Sequence, residues 1–262
     1  MKASKTLYMK SITFSVVLMT LLSYSGIAQV DTVYGFDPKS IKAHVKEGTS
    51  QYLIFFQNKK KAKRAGAFLT TQRVSYKNIN GIEAIAIEQK TYSSDTSAYF
   101  YEYSLVRRDN FNPIHFRMWT QRTGLLAYDF YPDRMEASDT VVNNAKKGLV
   151  STFKKPLLNW NIDLLTFPLL DLKNGKSYFM NFYQPGSPKE AQLYEYKVTG
   201  TETIRGNDGE QIDCWKLSIA YSETNKATFY ISKKTNEVLK LEEDFGSGVR
   251  YKVRLPGDLV IR

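Results

Sequence analysis

Cysteine is almost absent. Cys214 is the only one, so no disulfide can form within the chain. None stands near residue 28, which excludes an acyl anchor carried on a thiol. Histidine is nearly as scarce, and His44 and His115 form no metal-ligand spacing. There is no H-E-x-x-H, no G-x-S-x-G and no glycine-rich phosphate loop opening a helix. Gly246-Ser247-Gly248 is expected to be a hairpin turn. Cys214, between Asp213 and Trp215, and His115, within "PIHFRMW", are expected to be strand residues. Carboxylate pairs drawn from distant strands, as glycoside hydrolysis uses, leave no mark in a sequence. The expectation is a non-enzymatic protein with no catalytic residues, no metal and no cofactor.

Long apolar runs are also lacking. Ile12–Leu22 is about half the length a spanning helix needs. It follows a segment with Lys2, Lys5 and Lys10 and no acid, and precedes small and polar residues up to Ala28. These three parts predict a secretory signal peptide over 1–28, cleaved between Ala28 and Gln29. The expected location is the periplasm or the exterior, without a lipid anchor. Residues 29–262 are read as a single domain, with 29–48 an N-terminal extension.

The net charge is +11, three units of which belong to the leader lysines. A basic balance suits anionic surfaces, or simply solubility. Nucleic acid is not an expected partner of an exported protein. Five cations fall within six residues, at Lys59, Lys60, Lys61, Lys63 and Arg64. This run is either a contact with an anionic membrane surface or a solvated hairpin tip that guards a sheet edge. Aromatics make up 14% of the chain, 18 of them tyrosines, which suits strands and ligand cavities.

Apolar and β-branched runs alternate with turn signals throughout. "QYLIFFQ", Phe68–Tyr76 and Ile82–Lys90 come first, with Asn80-Gly81 a strong hairpin signal. Ala98–Val106, "HFRMWTQ", "LLAYDFY" and Met135–Val142 follow. After Asn174-Gly175 strands return in "SYFMNFY", "AQLYEYKVTGTETI" and "QIDCWKLSIAY", the last two joined across 206–209. No helix-period segment separates the strands, which argues an antiparallel meander rather than a βαβ alternation.

One segment does not alternate. In "STFKKPLLNWNIDLLTFPLLDL" the residues Leu157, Trp160, Ile162, Leu164 and Leu165 predict a short helix from Pro156 to about Thr166, ended or interrupted by Pro168. It is apolar on both sides and must be covered. It is either a plug on a sheet face or a lid over a cavity.

The chain then runs through "FYISKKTNEVLKLEEDFGSGVRYKVRL". Asn236 in "KKTNE" suits a left-handed turn position. Ala227, Phe229 and Ile231 share one face. Leu241 and Phe245, then Val249, Tyr251, Val253 and Leu255, alternate with charged residues. The expected sheet has a dry side and a wet side, and its apolar concavity must be filled.

"FYISKKTNEVLKLE" resembles the recurrent close of the bacterial lipoprotein-localisation half-barrels, the LolA, LolB and RseB group. "YKVTGTETIRGNDGEQIDCWKLSIAY" and "LLTFPLLDLKNGKSY" are similar to an uncharacterised periplasmic family grouped with that fold. The resemblance covers about 157–255; over 51–142 only the meander pattern agrees. It implies a mainly β protein: a large curved antiparallel sheet, an unclosed half-barrel, with a short helix in its concave mouth. It also implies a lipid or acyl-chain ligand, or a lipidated partner. The concave residues expected to line such a cavity are Tyr101, Tyr103, Trp160, Leu164, Phe229, Leu241 and Tyr251. The alternative is a β-rich scaffold with a self-filled core that binds a protein or glycan on its outer, tyrosine-rich face.

Overall fold

A computed structural model describes residues 30–60, 64–93, 99–206 and 209–257. The signal peptide expected over 1–28 lies outside the described residues, as do Asn207 and Asp208 of the turn expected over 206–209. Among the described residues no helix is long and apolar enough to cross a membrane.

Among the described residues sixteen strands form one curved, unclosed sheet. They are β1 (Val30–Val33), β2 (Gly48–Asn58), β3 (Arg64–Ile79), β4 (Ile82–Ser93), β5 (Phe100–Arg107), β6 (Pro113–Thr120), β7 (Gly124–Phe130), β8 (Arg134–Ala137), β9 (Val150–Thr152), β10 (Leu158–Asn159), β11 (Ser177–Tyr183), β12 (Gln192–Arg205), β13 (Gln211–Ala220), β14 (Lys226–Ser232), β15 (Val238–Asp244) and β16 (Gly248–Arg254). The order runs from β1 through β11 to β16, then β2 to β9, with β10 beside β11. Pairing is antiparallel except where β1 and β10 run parallel to β11.

Turn chemistry explains the tight connections. Asn80 and Gly81 both have positive φ, at 50° and 86°, as a two-residue hairpin requires. Asn236 takes the left-handed conformation expected of it, at φ 57°. Register shifts at Phe55/Phe56, Leu105/Val106, Val198/Gly200 and Tyr230/Ile231 are bulges, and bulges bend a sheet.

Two helical pieces fill the concave side. Helix α1 (Pro38–His44) starts from Asp37, whose carboxylate accepts from the amides of Lys39 and Ser40. Its Ile41, with Val45, packs on Val74, Ile85, Ile87 and Val106. The second piece is the non-alternating segment. It begins at Trp160 rather than Pro156, because Leu158 and Asn159 are taken into the sheet against Phe182 and Tyr183. A 3-10 turn over Trp160–Ile162, the short helix α2 (Asp163–Thr166) and another 3-10 turn over Phe167–Leu169 follow in one run. Asn159 caps it by accepting from the amide of Asn161. The α-helical part ends at Thr166, as expected, and Pro168 falls in the 3-10 turn that follows it. It sits at the start of the last turn, where its missing N–H is not needed.

The ring of Phe167 meets Phe229 at 4.5 Å, Tyr196 at 4.9 Å and Phe182 at 6.0 Å. With Tyr178, Met180, Val198, Leu217, Ile219 and Ile231 these rings form the main core under β11–β14. Across the segment, polar side chains hold it to the other strands. Gln89 donates to the Asn161 carbonyl at 2.8 Å, and Asn159 donates to the Ser104 hydroxyl at 3.0 Å.

Register overturns part of the expected face assignment. Leu241 lies opposite Lys252, and Glu243 opposite Arg250. Arg254 in turn lies opposite Tyr52, a core residue. The inward residues of β16 are therefore Arg250, Lys252 and Arg254, while Val249, Tyr251 and Val253 point outward. Strict alternation defined two faces correctly but gave no sign of which one is covered. The strand expected over Met135–Val142 is also shorter. It stops at Ala137, where Ser138 and Asn144 turn the chain with hydrogen bonds back to Ala127.

Candidate functional site

The sheet's concave side is filled through its middle and open at one end, the end carrying the β11–β12, β13–β14 and β15–β16 turns. A cavity of about 470 Å³ lies there. Its aromatic wall is Trp160, Tyr194 and Tyr221, with ring centroids of Trp160 4.4 Å from Tyr194 and 5.5 Å from Tyr221. Phe182, Phe229 and Leu241 continue that wall, and Asp163, Asn225, Glu243 and Arg250 also line the cavity.

Beside Arg250 the concave face stays apolar and only half covered. Phe56 lies opposite Arg250 across the β2–β16 pair, with its ring 6.3 Å from Phe68 and 6.4 Å from Phe245. All three rings remain partly exposed. They form a shoulder running from the cavity toward the end of the sheet.

The electrostatics of this region are unusual for a sheet interior. Glu243 pairs with Arg250. Glu102, on the inward face of β5, accepts from Asn161 Nδ2 at 2.6 Å. Asp163 accepts from the Leu164 amide at 2.7 Å. Burial raises the carboxyl pKa of Glu102, tempered by the Asn161 hydrogen bond. It raises that of Asp163 as well, tempered by Lys252. Burial lowers Lys252, against the pull of Asp163. The three groups are enclosed by protein yet keep part of their side chains accessible, and of the three Asp163 lines the cavity.

A family model described as "Protein of unknown function (DUF3108)" matches residues 51–254, well over half of the chain. The chain belongs to the DUF3108 family. The match opens in β2 and ends on the last residue of β16. No curated protein matches. One solved structure similar to this DUF3108 chain is the crystal structure of a DUF1329 family protein from Desulfovibrio piger. It shares 10% identity over 86% of this chain and 90% of that one, with a TM-score of 0.32.

Of the residues expected in the DUF3108 cavity, Trp160, Phe229 and Leu241 come together in its wall. Leu164 faces the concave side but is buried in the core and borders a second cleft at the opposite end. Tyr101, Tyr103 and Tyr251 are on the convex face. Tyr101 and Tyr103 alternate with the inward-facing Glu102, and the Arg117 guanidinium covers them at 5.6 and 5.8 Å. Tyr251 stacks on Phe55 at 5.0 Å, beside Lys240 and opposite Glu242. In the basic run, Lys59 pairs with Asp244 at 2.6 Å and Lys60 is exposed. Lys61 and Lys63 lie outside the described residues, and Arg64 opens β3. Cys214 is buried in β13, and burial pushes its thiol up to about 11. His115 lies in β6 beside Asp129, 2.6 Å away.

Sequence reasoning missed Glu102, Asp163, Glu243, Arg250 and Lys252, and the shoulder of Phe56, Phe68 and Phe245. The alternating cations of β16 were visible in the sequence, but a charged stripe is normally the solvent side. Only the register with Tyr52 and Leu241 turns it inward.

Proposed function

We propose that this protein is a non-enzymatic component of the bacterial envelope that holds a hydrophobic ligand, or the acyl chain of a lipidated partner, in its half-barrel hollow. The observation that carries this reading is the cavity of about 470 Å³ beside half-covered Phe56, Phe68 and Phe245. Pockets of roughly 300–1,000 Å³ suit single small ligands. Partly exposed rings on a concave face would gain from being covered. The leader-like N-terminus and the resemblance to the LolA, LolB and RseB half-barrels support export and an acyl ligand. The lysine-rich β2–β3 turn, at the same end as the hollow, supports contact with an anionic membrane surface.

Native mass spectrometry of protein purified from its own host, followed by solvent extraction, tests the reading. The expected result is a bound mass that leaves with the organic phase. Protein that is empty from every preparation would end it. A scaffold reading draws on Arg117 over Tyr101 and Tyr103 on the convex face. Stoichiometric uptake of an environment-sensitive hydrophobic dye separates the two, since a scaffold with a filled core takes up none.

A further inference from the structure

The residues lining the hollow combine an aromatic wall with polar groups of both senses. Trp160, Tyr194 and Tyr221 form the wall, with the Tyr194 ring 6.3 Å from that of Tyr221. Three buried side-chain atoms of lining residues have no hydrogen-bond partner among the described residues: Asn225 Oδ1, Glu243 Oε2 and Arg250 Nε. Two of these are acceptors and one is a donor. The charges of the lining are better matched than its hydrogen bonds. Glu243 and Arg250 form an ion pair. The charge of Asp163 is opposed by Lys252, which lies outside the lining. Gln184 and Gln192 add uncharged amides, each able to donate and to accept. Buried polar atoms left unmet are costly. A hydroxyl, which donates and accepts without charge, is the group that meets such a set.

We propose that the hollow takes a neutral, hydroxyl-rich head group, a hexopyranosyl ring against Trp160, Tyr194 and Tyr221, with the ligand's chain lying along Phe56, Phe68 and Phe245. This rests on the ligand reading above and adds the head-group class. One face of a pyranose ring can present only C–H bonds, and their slightly positive hydrogens suit the negative face of an aromatic ring. Its hydroxyls can donate to Asn225 Oδ1 and Glu243 Oε2 and accept from Arg250 Nε. The Asp163 carboxylate, already served by the Leu164 amide, has a further lone pair for another hydroxyl. A bare alcohol brings one hydroxyl to three unmet atoms. A charged head adds an ion where Glu243 and Arg250 already cancel. The volume, about 470 Å³, is in the range that holds single small ligands.

The test is a head-group series of equal chain length, read by calorimetry on the purified protein below micelle-forming concentrations. Octyl glucopyranoside is compared with octanol, octanoate and octyltrimethylammonium, and with methyl glucopyranoside, which has the sugar and no chain. The octyl glucoside is expected to bind about tenfold tighter than octanol, and added salt should leave that preference in place because the head is neutral. Methyl glucoside should bind more weakly than the octyl form, which identifies a glycolipid rather than a free saccharide. Asn225→Ala removes an oxygen that has no partner in the protein. It should weaken the glucoside about fivefold and leave octanol unchanged. The head-group series and its salt dependence on the wild type stand without that variant. Octanol as tight as the glucoside, either ion tighter than the glucoside, a preference lost with salt, or folded Asn225→Ala protein that binds both ligands as the wild type does would each overturn the head-group assignment. Methyl glucoside as tight as octyl glucoside would support the sugar and bring down the hydrophobic-ligand reading alone. If none of these ligands binds, both fall.

Discussion

The concave face has two halves of opposite chemistry packed against the same helical segment. Under β11–β14 it is sealed by rings: Phe182, Tyr196 and Phe229 close on Phe167. From β15 through β16 to β5 the inward residues near the segment include Glu243, Arg250, Lys252, Gln72, Gln89 and Glu102. The first half is held by area; in the second, Ile162 and Leu169 pack on Val74, Ile85 and Ile87 at the far end, and nearer the hollow directional bonds such as Gln89 to Asn161 and Asn159 to Ser104 hold the segment. Area collapses onto itself and leaves no room. Directional bonds fix a segment at a few points and leave space between them. This asymmetry places the hollow where the two halves meet, with an aromatic wall on one side and ions on the other.

The largest expected effect tests the dry half. Phe167→Ala removes the ring around which three others pack, and should cost about 3–5 kcal/mol of unfolding free energy by urea titration. A loss below about 1 kcal/mol would mean the rings re-close without it, and the contrast between the halves would vanish.

A smaller effect, opposite in sign, is expected from the wet half. Burial holds the Glu102 carboxyl above its ordinary 4.5, so the fold binds that proton more tightly than the unfolded chain does. Its contribution to stability is therefore present below the ordinary value and lost as pH rises toward the folded one. Glu102→Gln keeps an acceptor for Asn161 and carries no charge. It should melt higher than wild type at about pH 7, with the gap closing at about pH 4. A variant less stable at both pH values would show that the Glu102 charge is supported rather than tolerated.

Much of this was legible in advance. Strand runs, Asn80-Gly81 and Asn236 mark the meander because local backbone chemistry decides them. The non-alternating stretch around Trp160 marks the insert for the same reason. Its start was misplaced by four residues, since strand pairing of Leu158 and Asn159 with Phe182 and Tyr183 is a tertiary event. Asp37-Pro38 was a readable helix start, a capping carboxylate before a proline, in a region read only as an extension. The site was less legible than the fold. Tyr101, Tyr103 and Tyr251 are aromatic and regularly spaced, but spacing carries no direction. Inward cations at Arg250 and Lys252 make sense only beside Asp163, Glu243 and Glu102, which come from other parts of the chain.

The smallest effect on stability, and a separate one on function, concerns the β2–β3 turn. Exposed ion pairs such as Lys59 with Asp244 contribute little to folding, because water and salt screen them. Replacing Lys59, Lys60, Lys61, Lys63 and Arg64 together by glutamine should leave the melting temperature nearly unchanged. The turn's charge has one sign, whereas the β11–β12 connection at the same end carries Lys189 beside Glu190. If the basic turn contacts anionic lipid, flotation with phosphatidylglycerol vesicles should fall about tenfold or more in the variant, and the loss of binding with added salt should disappear. Wild type and variant that float equally at every salt concentration would leave the turn as a solvated tip that keeps the sheet from pairing with its neighbours.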